Sequence, residues 1–151
     1  MTIQGPALAG TPAPAPMQQA IPKTEGPSPS HYLTICVTCR DKETGERPGH
    51  DLGTALASAL QADTDWSVSG VECMAACGQP CTVALTAQFK TGWLFGHLTL
   101  EDVPDIAAFA RQYHGLADGW CKASERPGRM AKTALARIPA PGRTTTFRPG
   151  T

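Results

Sequence analysis

The first stretch with a regular pattern of apolar and polar positions is Tyr32-Leu-Thr-Ile-Cys-Val-Thr38. It alternates, is rich in β-branched residues, and reads as a buried strand running directly into Cys36-x2-Cys39. A polar loop over residues 41–49 follows. Beyond it, Leu52, Ala55, Leu56, Ala59 and Leu60 recur at the i, i+3, i+4 spacing of an amphipathic helix, with Asp51 as its cap. Residues 66–72 read as a second strand, in which Gly70 marks a bulge or a close approach. Residues 82–86 and 93–98 alternate as two more strands, with Lys90-Thr-Gly92 as the hairpin turn between them. Thr99 to Asp102 has the pattern of a cap, and Pro104 suits a first helical turn. Val103, Ile106, Ala107, Ala110 and Tyr113 or His114 then form the inner face of a second helix that ends near Gly115.

Strand, helix, strand, hairpin, helix is the plan of an α/β thioredoxin-like domain, expected here over residues 31–121. Residues 1–30 carry Gly5-Pro6, Pro12-Ala-Pro-Ala-Pro16 and Gly26-Pro-Ser-Pro29, and read as a disordered Pro/Ala-rich leader. Residues 122–151 read as a basic C-terminal extension. Met130, Ala134, Leu135 and Ile138 predict one short helix there, and fraying is expected from Pro139.

Composition narrows the class. The chain has 151 residues, room for one domain, and its 41% hydrophobic content can fill a core. Net charge is zero but unevenly spread. Residues 1–120 hold 12 Asp/Glu against 6 Lys/Arg, whereas residues 121–151 hold seven Lys/Arg against Glu125. An acidic body with a basic tail fits an electrostatic partner or self-docking. The basic residues lack interleaved aromatics apart from Phe147, which argues against nucleic acid. No run approaches the roughly 20 apolar residues of a membrane span, and no secretory signal opens the chain, so a cytoplasmic protein is expected. In that compartment clustered cysteines bind metal or do redox work more often than they form structural disulfides.

The cysteines are therefore the candidate chemistry. Cys36-x2-Cys39 is followed after 33 residues by Cys73-x3-Cys77-x3-Cys81, and after 39 more by Cys121. Both groups follow predicted strands, and parallel neighbouring strands would bring their loops to one sheet edge. Four thiolates match a [2Fe–2S] cluster, with Cys36 and Cys39 on one iron and Cys73 and Cys77 on the other. The same four also fit a tetrahedral zinc site, and Cys36/Cys39 fit a dithiol–disulfide centre. Cys121 reads as a lone packed thiol, and His31 and His97 as solvated strand-edge residues. Trp93 and Trp120 read as core or rim anchors. No acid–base pair or nucleophile–His arrangement stands out, so an electron carrier or metal-binding protein is expected rather than an enzyme.

Val71-Glu-Cys-Met-Ala-Ala-Cys-Gly-Gln-Pro80 resembles the second half-site of thioredoxin-like [2Fe–2S] ferredoxins. The span from His31 to Pro139 resembles a bacterial family of uncharacterised, predicted metal-binding proteins. It shares the Cys-x2-Cys strand, the Cys-Met-x-Ala-Cys-x-x-Pro-Cys loop, Leu94-Phe-Gly96, Asp118-Gly-Trp120, Ser124-Glu-Arg-Pro127 and Ala134-Leu-Ala-Arg-Ile-Pro139. The resemblance implies a [2Fe–2S] electron-transfer protein with a redox partner, a homodimer by analogy with the ferredoxins, and a link to cobalt and cobalamin genes. The gap between the first two cysteines is shorter than the ferredoxins have, which leaves Cys39 or Cys81 as the fourth ligand. A zinc- or cobalt-handling module and a thiol–disulfide oxidoreductase are the alternatives.

Overall fold

The computed structural model describes residues 29–150. The expected leader falls almost wholly outside them. β1 spans His31–Cys36, within the stretch whose pattern predicts a strand. The helix α1 spans Gly49–Ala59 and places Asp51 in its first turn rather than at its cap, which is Pro48. Next come β2 (Trp66–Val71), β3 (Val83–Ala87), β4 (Gly92–Phe95), α2 (Val103–Gly115) and β5 (Ala134–Ile138).

The five strands form one sheet in the order β2-β1-β3-β4-β5. β1 runs parallel to β2 and antiparallel to β3, and the β3–β4 and β4–β5 pairs are antiparallel. Alternation along the strands sets one face inward: Leu33 and Ile35 stand opposite Leu85 and Val83, which stand opposite Trp93 and Phe95. All six are buried. Leu52 and Leu56 of α1 and Ile106, Phe109 and Tyr113 of α2 complete this cluster. Each such side chain contributes about 1.5–3 kcal/mol by leaving water. Phe109 meets Trp93 and Phe95 edge-on at ring-centre distances of 5.6 and 5.3 Å, fixing α2 across the hairpin. Thr99 and Asp102 form the expected capping box ahead of α2, with Pro104 in its first turn.

One difference from the sequence expectation stands out, and one alternative is resolved. Residues 134–138 form β5, not a helix. Helical geometry beyond Cys121 is limited to three 3-10 turns, Ala123–Glu125, Gly128–Ala131 and Pro141–Arg143, and the open edge of β4 offers unpaired backbone groups that residues 134–138 satisfy. Met130 is fully buried beneath this segment, so packing continues past Cys121. Gly70 is no bulge, since the β1–β2 register runs unbroken through Ile35–Gly70. It is a close approach: a Cβ there would lie 2.7 Å from Cγ1 of Val37. Among the described residues no helix is long and apolar enough to cross a membrane.

Candidate metal centre

Three chain segments meet at one edge of the sheet. Because β1 and β2 are parallel, their C-terminal ends deliver Cys36–Cys39 and Cys73–Cys77 side by side, and antiparallel β3 begins there just after Cys81. Backbone hydrogen bonds fasten the three together: Val37 N–H to Val71 O at 2.9 Å, and Cys36 N–H to Thr82 O at 3.0 Å. The Thr38 hydroxyl donates to the Glu72 carbonyl. Behind β4, His97 N–H and Leu98 N–H donate to the carbonyls of Gln79 and Cys81, each at 3.1 Å, so the second cysteine loop has a fixed back wall. The first turn of α1 closes on the same edge. A Cβ at Gly49 would lie 2.2 Å from the Cys36 carbonyl oxygen, so only glycine lets the helix come this near.

The sulfurs fall into two pairs. Cys36 and Cys39 Sγ are 2.9 Å apart and buried; Cys73 and Cys77 Sγ are 3.7 Å apart and exposed. Two thiolates on one tetrahedral metal at about 2.3 Å would sit roughly 3.8 Å apart. Cys73 and Cys77 already have that separation, and Cys36 and Cys39 need to open slightly to reach it. Among the described residues no three His, Cys, Asp or Glu side chains converge on a single ion. The four thiols stand as two dithiol pairs on adjoining loops. The Ala75 N–H donates to Cys73 Sγ at 3.2 Å, the kind of backbone donor that stabilises thiolate sulfur. Ala75 holds this position with a positive φ of 62°.

The thiols differ in their hold on protons. Burial opposes a thiolate at Cys36, yet hydrogen bonds from Cys39 and Thr38 bring it down to about 7. Burial and then the Cys36 neighbour push Cys39 up to about 11. The pair thus gives up its first proton more readily than an isolated thiol and its second less readily. The shared hydrogen bond with Cys73 raises Cys77. Burial pushes Cys81 up to about 12, and its thiol donates to the Cys36 carbonyl at 3.3 Å. Cys81 belongs to neither pair and lies under the Cys36 backbone.

The remaining candidates lie elsewhere. Cys121 is buried beside Arg126 and Arg137, a packed thiol as expected. His97 is exposed. His31 corrects the solvated reading: its Nδ1 pairs with the Ser30 hydroxyl at 2.7 Å and its Nε2 accepts from Lys90 at 2.9 Å, because α2 and Trp66 cover this end of β1. Thr38, Thr82 and Gly49 belong to the centre without having been singled out in the sequence. Thr82 Oγ1 lies 3.9 Å from Cys39 Sγ. Their signal was adjacency to cysteine for the two threonines, and none for Gly49.

A family model described as "Protein of unknown function (DUF1636)" matches residues 33–140. No curated protein matches the chain. Among solved structures, a thioredoxin-like [2Fe–2S] ferredoxin from Aquifex aeolicus aligns with a TM-score of 0.51 at 15% identity, covering 77% of this chain and 99% of the ferredoxin. A second structure, the wild-type thioredoxin-like [2Fe–2S] ferredoxin from Aquifex aeolicus, aligns with a TM-score of 0.44 at 20% identity over 53% of this chain and 84% of the other. The first alignment places the fold as thioredoxin-like.

Proposed function

We propose that this chain, which belongs to the family described as a protein of unknown function (DUF1636), is an iron–sulfur protein that holds a [2Fe–2S] cluster and transfers electrons. The observation that carries this reading is the arrangement of four thiols as two pairs on adjoining loops. Cys36 and Cys39 would hold one iron and Cys73 and Cys77 the other. A bound cluster of this type supplies a reversible one-electron centre. The chain's own contribution is asymmetric. Burial of Cys36 and Cys39 keeps water from the inner pair, while exposure of Cys73 and Cys77 leaves the outer pair open to a redox partner. The Thr82 hydroxyl and the Ala75 N–H lie within reach of the sulfurs and would tune the potential through hydrogen bonds.

A second reading has one specific observation in its favour. The 2.9 Å Cys36–Cys39 contact, with Cys36 lowered to about 7, is also what a dithiol–disulfide centre requires. The visible spectrum of protein purified without oxygen separates the two. The cluster protein is red-brown and bleaches on reduction, whereas a dithiol protein is colourless.

A further inference from the structure

We propose that the cleft over Trp93, between β5 and the turn at residues 123–126, binds an oxyanion: the carboxylate or phosphate group of a compact organic anion. The cleft has a volume of 310 Å³ and is lined by Trp93, Arg126, Leu135, Arg137 and three alanines, with no carboxylate among its lining. Its floor is an indole only 2% exposed, over which the Arg126 and Arg137 guanidinium carbons lie 4.8 and 5.5 Å from the ring centre. Arg137 also stacks on Trp120 at 3.6 Å. This stacking fixes both planar forks and removes part of their hydration.

Five of the eight arginines among the described residues have no carboxylate partner, and of those five only Arg126 and Arg137 lie over an indole. Arg111, Arg129 and Arg143 each have a carboxylate within 3.1 Å, while neither Arg126 nor Arg137 has one among the described residues. Arg126 spends donors on the Met130 and Ala131 carbonyls, and Arg137 spends one on the Cys121 carbonyl. A guanidinium has five N–H donors, so each retains several for a ligand. Two oriented, uncompensated guanidinium groups favour bidentate capture of a planar or tetrahedral oxyanion. Leu135 and the alanines offer apolar wall to the rest of such a molecule. The site lies on the opposite edge of the sheet from β2 and shares no lining residue with Cys36, Cys39, Cys73 or Cys77.

The test is a titration of the ¹⁵N-labelled full chain, following the arginine Nε–H resonances. Sodium phosphate, phenyl phosphate, acetate and benzoate are added against sodium chloride at matched ionic strength. The expected result is a saturable shift of the Arg126 and Arg137 signals, with Arg111 unmoved. Tighter binding of the two phosphates identifies a phosphate-bearing ligand, and tighter binding of acetate and benzoate a carboxylate. Arg137→Lys should weaken binding about tenfold by losing the planar fork, and Arg137→Gln should abolish it. Shifts in the unaltered protein that merely follow ionic strength, or full affinity retained in a folded Arg137→Gln protein, would overturn the proposal.

Discussion

The hydroxyl of Thr38 donates to the carbonyl of Glu72, tying the loop that carries Cys36 and Cys39 to the residue just before Cys73. The tie joins the two half-sites through a side chain, beyond the strand ladder that already aligns them. Replacing Thr38 by Val keeps the shape and removes the donor. Chemical denaturation should show a loss of about 0.5–1.5 kcal/mol, and bound iron should be lost faster to a chelator. Thr38→Ser should restore both. A Thr38→Val protein that retains iron as firmly as the parent would show that the ladder alone sets the pairing.

Cys39 and Cys81 are separable by substitution. Cys39 Sγ faces Cys36 Sγ, whereas Cys81 points its thiol at the Cys36 carbonyl. Cys39→Ser should therefore lose most of the visible absorption. Cys81→Ser should retain it while lowering stability by about 1 kcal/mol, since serine fills less of a buried apolar site. The reverse pattern would make Cys81 the fourth ligand.

Gly49→Ala tests the contact between α1 and the centre. Away from tight contacts this change stabilises a helix by up to about 1 kcal/mol. Here the new methyl collides with the Cys36 carbonyl, and the expected outcome is a destabilisation of about 1–3 kcal/mol, with iron content reduced.

The opposite end of β1 predicts a response to pH. Burial first, then Lys90 and His114, lower His31 from 6.5 to about 4, with Asp65 opposing. The unfolded chain thus takes up the proton first as pH falls. Stability from this group is complete above pH 6.5 and declines between pH 6.5 and 4, by as much as about 3 kcal/mol. Denaturation midpoints measured across that range should fall in the parent protein and fall less in His31→Gln.

β1, β3, β4 and both helices were legible because each buries one face and so carries a clean period, as Leu33/Ile35 and Leu52/Leu56 do. β5 was not, because Ala134, Leu135 and Ile138 fit a helical step, and what decides their state is the unpaired edge of β4, fixed only once the sheet exists. The meeting of the two cysteine loops was readable from their position after parallel strands. The grouping of sulfurs was only partly so: spacing counts cysteines but does not say which thiol turns toward which. His31 shows the same limit, since its burial depends on Trp66 and on α2, remote in sequence.

The central claim meets its most direct test in the iron and acid-labile sulfide content of protein purified anaerobically. The account predicts about two irons and two sulfides per chain, all lost together when Cys36 or Cys73 is replaced by Ser. A chain that carries one zinc and no sulfide, or that carries no metal and forms a Cys36–Cys39 disulfide on oxidation, would contradict it.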